Sequence, residues 1–205
     1  YYLLIPFFKN KLRFVIELNE FPISIIKQDR ISLKENKIEK LLINRLYSFN
    51  GLITCSNTLS AYYGKYLNKN AKILISPLIV DIEKFSRKYD KCKQAGDYFA
   101  YCGRLGNNKD GVPILIDSFA LFAKVVDSIK LYIIGNADEK VENDLKARVN
   151  SLKMNDRIIF TGALSHAQLI PILQNAQLLL LARPNNKQSE GGIPSKSKFL
   201  WLSPG

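Results

Sequence analysis

Residues 98–134 read YFAYCGRLGNNKDGVPILIDSFALFAKVVDSIKLYII, which places two apolar runs of strand length on either side of a longer amphipathic segment. The run at 98–102 predicts a β-strand, and so does the run at 130–134. Between them, residues 113–126 carry apolar side chains at helical spacing on one face. The order of strand, helix and strand predicts a βαβ unit with parallel strands.

The same alternation continues toward the C-terminus. We predict helices at 138–152 and 166–174, strands at 157–161 and 177–182, and a further helix that starts near Pro194. Runs such as LLLL at 178–181 do not alternate between apolar and polar residues, which is typical of strands covered on both faces. The pattern therefore predicts an α/β fold with a doubly wound parallel sheet.

The first half of the chain repeats this theme less completely. We predict strands at 13–18, 51–54 and 72–75, and helices at 33–49 and 57–67. Ser56 or Asn57 is a suitable N-cap for the second helix. Residues 86–96 contain several charges and few apolar side chains, which indicates a linker between two domains.

Composition points to an ordinary globular protein, with 47% hydrophobic and 23% charged residues. The longest apolar stretches are of strand length, so we expect no transmembrane helix. The apolar residues 1–8 lack a basic region and a cleavage site, and we interpret them as an internal strand. Three cysteines without CxxC spacing support neither a disulfide framework nor a zinc site, and they favour a reducing, cytoplasmic setting.

The formal net charge is +12, of which residues 1–97 contribute +8 and residues 98–205 contribute +4. A basic excess of this kind can favour nucleic acid, anionic lipid headgroups or phosphorylated substrates. A lysine-rich solvated surface without a specific partner explains the charge equally well, so the alternatives stay open at this point.

The loop at 103–111, GRLGNNKDG, follows the first strand of the βαβ unit and leads into a helix. Its glycines, beginning with Gly103, allow the backbone to approach a phosphate, and the helix N-terminus offers unpaired N–H groups. Arg104 and Lys109 add two full positive charges. The loop is therefore a candidate diphosphate site, although a plain turn with two solvated cations would look the same. It matches neither GxxxxGK[ST] nor GxGxxG.

Two further loops follow predicted strands. Gly135 permits a tight turn, and Asp138 could cap the next helix. Gly162 opens the following loop, in which Ser165 is a suitable N-cap. His166, the single histidine of the sequence, has no carboxylate or cysteine close to it in sequence, so we interpret it as an exposed helix residue rather than a base.

The loop at 183–196, RPNNKQSEGGIPSK, is the richest in functional groups. The carboxylate of Glu190 could accept hydrogen bonds from sugar hydroxyls, and Gly191 and Gly192 could bring backbone N–H groups against a phosphate. Pro194 suits the first turn of a helix. The alternative is a long polar surface loop.

The order of these motifs resembles glycosyltransferase family 4, in particular bacterial members that build cell-surface polysaccharide. The resemblance covers nearly the whole chain. It rests on GRL at 103–105 with Lys109 and Gly111, IIG at 133–135, IFTG at 159–162 and EGGIPSK at 190–196, and upstream on ELNEFP at 17–22, GLITCS at 51–56 and PLIVD at 77–81 followed by Phe85.

The resemblance implies a retaining enzyme of the GT-B type, in which two Rossmann-like domains bind a nucleotide diphosphate sugar between them. We expect a partial acceptor domain at 1–90 and an incomplete donor domain at 91–205, with no cofactor and no metal. It also implies catalytic roles for Arg104, Lys109 and Glu190. The implied donor-binding residues are Gly103, Arg104, Lys109, Gly135, Gly162, Glu190, Gly191, Gly192, Ser195 and Lys196.

Two features depart from the family pattern. Family members carry a second glutamate that binds the nucleotide ribose, and the corresponding position falls near Phe199, where SKFLW at 197–201 contains no acid. Each Rossmann-like half needs about 150 residues, so we expect the intact enzyme to be about twice as long as this chain. The piece as given could be inactive.

The acceptor implied by the resemblance is a saccharide or a lipid-linked saccharide, and the basic first half suits peripheral contact with the inner face of the plasma membrane. Two other classes of function remain as alternatives. A GT-B nucleotide-sugar epimerase would need acid and base residues in the cleft. A non-catalytic, basic nucleic-acid-binding module would need aromatic residues interleaved with cations, whereas the tyrosines here fall within apolar periodic segments, so we expect no nucleic-acid partner.

Overall fold

The computed structural model describes residues 12–27, 32–77, 97–106 and 110–192. In chain order its first elements are β1 (Val15–Glu17), α1 (Ile23–Lys27), α2 (Leu33–Arg45), β2 (Gly51–Thr54), α3 (Asn57–Tyr63) and β3 (Lys72–Ile75). They are followed by β4 (Tyr98–Cys102), α4 (Val112–Phe122), β5 (Lys130–Ile134), α5 (Glu139–Ser151), β6 (Ile158–Gly162), α6 (His166–Asn175), β7 (Leu178–Leu179) and α7 (Lys187–Gly191). Short 3-10 turns at Leu46–Ser48 and Gly64–Tyr66 extend α2 and α3.

The chain divides into two compact units. Unit 1 consists of Tyr1–Ile79 together with Asn185–Pro194, and unit 2 consists of Val80–Pro184 together with Ser195–Gly205. Unit 1 therefore contains β1 to β3 with α1 to α3 and α7, whereas unit 2 contains β4 to β7 with α4 to α6. The predicted domain boundary between residues 90 and 91 lies outside the described residues and stays a prediction.

Unit 2 is built on a parallel sheet with the strand order β6-β5-β4-β7. Tyr98 pairs with Lys130 at the start of the β4–β5 ladder, and Cys102 pairs with Ile134 at its end. All three strand pairs of this sheet are parallel, as the alternation of strands and helices predicts. The predicted α/β fold class with parallel sheets is confirmed.

Helices cover both faces of β4, whose first four residues are all buried. On one face Phe99 and Tyr101 pack in a core with α4, α5 and the neighbouring strands. On the other face Tyr98 and Ala100 pack with Leu169 and other apolar residues of α6. The side chains of one strand thus point alternately into two separate cores, which confirms a doubly wound sheet.

The predicted strand at 177–182 is wrong in its length and in its burial. Only Leu178–Leu179 form β7, and Leu178 is 52% exposed. Among the described residues, β7 lies at the edge of the sheet and pairs with β4 alone, which leaves its other side uncovered. The N–H group of Leu180 still donates to the carbonyl oxygen of Ala100, at 2.8 Å, before the chain leaves the sheet.

Unit 1 contains a smaller parallel sheet with the order β1-β2-β3. Leu52 of the central strand pairs with Ile16 on one side and Ile73 on the other, and it is almost completely buried. Phe21 and Tyr63 are buried in the same core as Leu52. Because β2 is flanked on both sides, it is the strand of this sheet that the rest of unit 1 covers best.

Several helix boundaries differ from the prediction. The helix predicted at 113–126 ends at Phe122, and those predicted at 33–49 and 57–67 finish in 3-10 turns. The short helices α1 and α7 were not predicted, because each has only five residues and shows no period. The predicted strand at 1–8, linker at 86–96 and helix starting at Pro194 lie outside the described residues.

Arg157 ties the connection between α4 and β5 to the start of β6. Its guanidinium donates to the carbonyl oxygens of Ala123 at 3.0 Å, Val126 at 2.6 Å and Ile129 at 2.7 and 3.1 Å. The guanidinium also lies 5.7 Å from the centre of the Phe119 ring. One side chain therefore satisfies three backbone carbonyl groups in the connection between α4 and β5.

Candidate functional site

A cleft of about 470 Å³ opens at the carboxyl ends of β4, β5 and β6 in unit 2. This is the edge at which open parallel sheets bind their ligands. Its lining is formed by Cys102, Gly103, Arg104, Ile134, Gly135, Asn136, Ala137, Asp138, Ala163, Leu164 and Leu169. Three loops that are separate in sequence therefore meet at one place, as the strand order requires.

Two of the predicted glycines, Gly103 and Gly135, form the floor of this cleft. The N–H group of Gly103 donates to the carbonyl oxygen of Ile134 at 2.8 Å, and that of Gly135 donates to Gly162 at 2.9 Å. Gly135 has φ 137°, and a Cβ atom there would lie 1.8 Å from the Gly103 carbonyl oxygen. Only glycine fits this position, because both the space and the backbone angle exclude a side chain.

Arg104 lies at the mouth of the cleft beside Asp138. The two side chains are 3.9 Å apart, between Nη2 and Oδ1, and they are 66% and 83% exposed. An ion pair with this exposure contributes little stability, so the guanidinium can exchange Asp138 for another anion. Asp138 occupies the predicted N-cap position of α5, but its side chain forms no capping hydrogen bond within the described part of the chain.

A buried pair anchors the loop that carries Arg104. The Tyr101 hydroxyl donates to Oδ2 of Asp110 at 3.0 Å and also lies 3.3 Å from the carbonyl oxygen of Arg104. Burial, followed by the nearby Asp110 carboxylate, raises the pKa of Tyr101 well above its ordinary value. Gly111 comes next, with φ 62° and no room for a Cβ against the carbonyl oxygen of Ala182.

Both ends of the glycine-rich loop are therefore fixed to the body of unit 2. Sequence reasoning did not identify Tyr101 or Asp110 as part of the site. The available signal was an acid beside a glycine at the end of a basic loop. Lys109, the second predicted cation of this loop, lies outside the described residues.

The predicted donor-sugar residues Glu190, Gly191 and Gly192 belong to unit 1. Glu190 lies in α7, where its carboxylate accepts from Lys187 Nζ at 2.7 Å and is 43% exposed. Gly191 is buried at the end of the same helix. Ser195 and Lys196 lie outside the described residues. Whether Glu190 shares a cleft with Arg104 stays a prediction.

His166 is the first residue of α6 and is exposed, which confirms its interpretation as a surface helix residue. The helix start is organised by Ser165, whose N–H group donates to the Gln168 side chain at 3.1 Å. Both features follow from the predicted helix start at this point.

Unit 1 has a groove of its own, of about 480 Å³, between the segment after β1 and helix α2. Apolar side chains form most of it, and the carboxylates of Glu17, Glu20, Glu35 and Glu39 also line it. Glu39 accepts hydrogen bonds from the N–H group of Ser24, at 3.0 Å, and from its hydroxyl. No sequence motif indicated this groove, because its lining comes from two distant segments.

The ranges that the structure describes contain no group of three or more His, Cys, Asp or Glu side chains placed to hold a metal ion. Metal independence stays a prediction. Among the same residues, no helix combines the length and the apolar character that a membrane crossing requires.

Residues 96–194 match the family model described as Glycosyl transferases group 1. The chain is also similar to the mannosylfructose-phosphate synthase of Agrobacterium fabrum (strain C58 / ATCC 33970), with 36% identity over 86 residues. That alignment covers 39% of this chain and 19% of the relative. The matched segment thus spans about a fifth of this relative's length.

Solved structures show the same fold at low sequence identity. A sucrose-phosphate synthase from Thermosynechococcus elongatus superposes with a TM-score of 0.69 and 14% identity, covering 91% of this chain and 50% of the other. An α,α-trehalose-phosphate synthase from Burkholderia vietnamiensis gives 0.70 and 10%, with 94% and 49% covered.

A third structure, the HepE protein of Anabaena in complex with UDP and glucose, gives a TM-score of 0.66 and 15% identity, with 91% of this chain and 52% of that chain covered. This chain thus spans about half of each of the three structures. The cleft of unit 2 lies within the segment that matches the family model. Residues 96–194 are therefore similar to a group 1 glycosyltransferase domain, and the chain has the GT-B fold of these structures.

Proposed function

We propose that the protein transfers a sugar, with retention of configuration, from a nucleotide diphosphate donor to a saccharide or lipid-linked saccharide acceptor. The cleft at the ends of β4, β5 and β6 is the observation that carries this proposal. It combines a backbone floor without side chains, at Gly103 and Gly135, with an exposed cation, Arg104, at its mouth. A pyrophosphate needs both features, because it is bulky and doubly charged.

In the proposed mechanism, the donor diphosphate leaves as an oxocarbenium-like sugar develops. Arg104 neutralises the charge that grows on the leaving group, and Lys109 is expected to do the same, so both act mainly on the transition state. Glu190 faces the donor sugar, and its carboxylate accepts hydrogen bonds from the sugar hydroxyl groups. Retention follows from attack on the same face, with the leaving phosphate helping to deprotonate the acceptor. None of these steps requires a metal ion.

Support for the donor class comes from the matched family and from neighbours of the same fold that are named as UDP complexes. The finer assignment, to family 4 and to the synthesis of cell-surface polysaccharide, rests on the motif order from Gly103 to Lys196. The sugar and the base of the donor are not part of the proposal, because backbone and loop shape make those contacts.

The deciding experiment measures binding of UDP, GDP and their glucose conjugates by calorimetry, alongside a single-stranded oligonucleotide at two salt concentrations. We expect saturable nucleotide binding that Arg104→Ala weakens about tenfold. Arg148→Ala is the matched control, because Arg148 is an exposed arginine of the same unit that pairs with Asp117 on α4. Oligonucleotide binding with steep salt dependence and no nucleotide binding would overturn the proposal in favour of a nucleic-acid module.

Helix α2 supports a peripheral contact between unit 1 and an anionic membrane. Lys34, Lys37 and Lys40 are exposed at a spacing of three residues, which places them on one strip of the helix. Leu33 and Leu41 are exposed as well, at 83% and 45%. The acids of α2 line the groove of unit 1 instead. A basic helix with exposed leucines is suited to a surface of anionic lipid.

Cosedimentation with phosphatidylglycerol vesicles tests this contact. We expect the change of Lys34, Lys37 and Lys40 to Glu to abolish binding. The control changes three other exposed lysines of unit 1, Lys65, Lys69 and Lys72, to Glu. This variant should keep most of its vesicle binding. Equal loss in both variants would contradict a specific role for α2.

A further inference from the structure

Helix α7 is too short to be stable by itself. It has five residues, and isolated helices of this length do not form in water because nucleation is costly. Its order must therefore come from contacts with the rest of unit 1. These contacts matter for function because α7 carries Glu190.

The two ends of α7 are held in different ways. At the N-terminus, Asn186 is the cap, and its Oδ1 accepts from the N–H group of Ser189 at 2.9 Å. At the C-terminus, the carbonyl oxygen of Gly191 accepts a hydrogen bond from the Ser56 hydroxyl at 2.7 Å. Carbonyl groups in the last turn of a helix have no partner inside the helix, so this contact satisfies a group that would otherwise need water.

The packing around Gly191 fixes the same point independently. A Cβ atom at this position would lie 2.6 Å from the ring of Phe21 and 2.9 Å from Leu59. Gly191 therefore serves close packing here, and its helical backbone does not require a glycine. The Ser56 hydroxyl and the Phe21 ring together determine where the end of α7 lies.

Ser56 has two roles that use different parts of its hydroxyl group. As the N-cap of α3, its Oγ accepts from the N–H group of Leu59 at 3.2 Å. Its single proton is then available for the carbonyl oxygen of Gly191. The two roles can be separated by substitution, since an aspartate at the cap can accept but cannot donate.

We propose that Ser56 is a positioning residue for Glu190. By donating to the Gly191 carbonyl group, its hydroxyl holds α7 in place and thereby fixes the direction of the Glu190 side chain. The consequence for catalysis rests on the proposed function, in which Glu190 faces the donor sugar. The ordering of α7 itself does not depend on that assignment.

The test compares Ser56→Asn with Ser56→Asp, two side chains of the same size. Both can cap α3, but only asparagine can donate to Gly191. In the free protein we expect amide hydrogen exchange of residues 187–192 to be about fivefold faster in Ser56→Asp and in Ser56→Ala than in Ser56→Asn. Ser56→Thr, which keeps the hydroxyl, should restore slow exchange. Thermal unfolding midpoints for the Asn and Asp variants confirm that both remain folded.

Equal exchange in Ser56→Asp and Ser56→Asn would overturn the inference, because α3 capping alone would then account for Ser56. Equal exchange in Ser56→Ala and Ser56→Asn would overturn it as well. Hydrogen exchange is measured without a nucleotide sugar, so this outcome is independent of whether the protein binds a nucleotide.

Catalysis provides the second readout. In steady-state sugar transfer we expect kcat to fall about tenfold in Ser56→Asp relative to Ser56→Asn. The Kd of the free nucleotide, UDP or GDP, should change less than twofold, since Glu190 acts on the sugar. If exchange responds but no variant binds nucleotide, the proposed function fails while the ordering role of Ser56 stands. If exchange responds and kcat does not, the positioning role is overturned.

Discussion

The two sheets of this protein differ in how completely they are covered. In unit 2, β4 and β5 lie between two layers of helices, and Ile133 is fully buried. In unit 1, β3 leaves all four of its residues exposed, and Ile73 is 42% exposed although it pairs with Leu52. An apolar strand residue therefore contributes more to stability in unit 2 than in unit 1. We infer that stability is concentrated in unit 2, which carries the cleft.

The largest effect is expected from the same substitution in the two sheets. Ile133→Ala should lower the free energy of unfolding by about 2–5 kcal/mol, because it removes a fully buried side chain. Ile73→Ala should cost under about 1 kcal/mol, since much of its surface is already in water. Urea unfolding followed by peptide-resolved hydrogen exchange would check both values. Similar losses in the two units would contradict the comparison.

Two glycines of unit 2 test whether the close backbone approach in the cleft matters. Gly135→Ala should destabilise unit 2 by about 3 kcal/mol and abolish nucleotide binding, because its Cβ would meet the Gly103 carbonyl oxygen. Gly162→Ala is the control. Gly162 also has a positive φ, 71°, but no atom lies within 4 Å of the new Cβ.

The strain at Gly162 should therefore cost about 1 kcal/mol and leave binding nearly intact. Thermal unfolding together with calorimetric titration of UDP and GDP distinguishes the two variants. If Gly162→Ala were as harmful as Gly135→Ala, backbone angle alone would decide both effects, and the close approach at Gly135 would be unimportant.

Arg157→Lys tests the connection between α4 and β5. Lysine keeps the charge but cannot reach three carbonyl groups with a planar fork, so we expect a loss of about 2 kcal/mol. Arg148→Lys should change stability by less than about 1 kcal/mol, because the pair that Arg148 forms with Asp117 is exposed. Chemical denaturation of the two variants under identical conditions measures the difference. Equal losses would mean that the guanidinium of Arg157 has no special role.

The smallest effect is the dependence on alkaline pH. The pKa of Tyr101 is raised in the folded protein from its usual value of 10.0, so its neutral form is favoured by folding. Its contribution to stability is complete below pH 10, and it is lost above that pH as the unfolded chain ionises first. Tyr101→Phe should therefore flatten the fall in unfolding free energy above pH 10, by at most about 1.4 kcal/mol per pH unit.

The measurement is urea unfolding of both proteins between pH 9 and pH 11. An unchanged slope in Tyr101→Phe would contradict the role of its burial. At neutral pH the variant should also bind nucleotide less well, because Asp110 would lose the donor that holds the end of the loop.

The sequence predicted the parts of the fold that depend on local patterns. The run YFAYC at 98–102 contains no charged residue and was predicted as a strand, and the structure buries its first four residues. Ser165 was identified as a cap, and Ser56 as one of two candidates with Asn57, for a similar reason, since capping depends on residues within one turn. The positions of Gly103, Arg104 and Gly135 in one cleft followed from the rule that ligands bind at the carboxyl ends of parallel strands.

The parts that were missed depend on contacts between distant segments. The hydrogen bond between Ser56 and Gly191 joins residues 135 positions apart, and no pattern in either segment indicates the other. Arg157 looked like a cation at the start of a strand, but its partners are backbone carbonyl groups, which every residue has. Strand β7 was predicted to be too long because four successive leucines do not reveal that the described part of the sheet has its edge there.

The floor of the cleft is made of peptide groups at Gly103 and Gly135, whereas its rim carries side chains. Peptide groups do not titrate between pH 4 and pH 10, and point mutations do not remove them. The space above this floor can therefore persist while rim positions such as Arg104 and Asp138 vary. A change of substrate in this scaffold would need only a few exchanges at its edge, with no redesign of the sheet beneath.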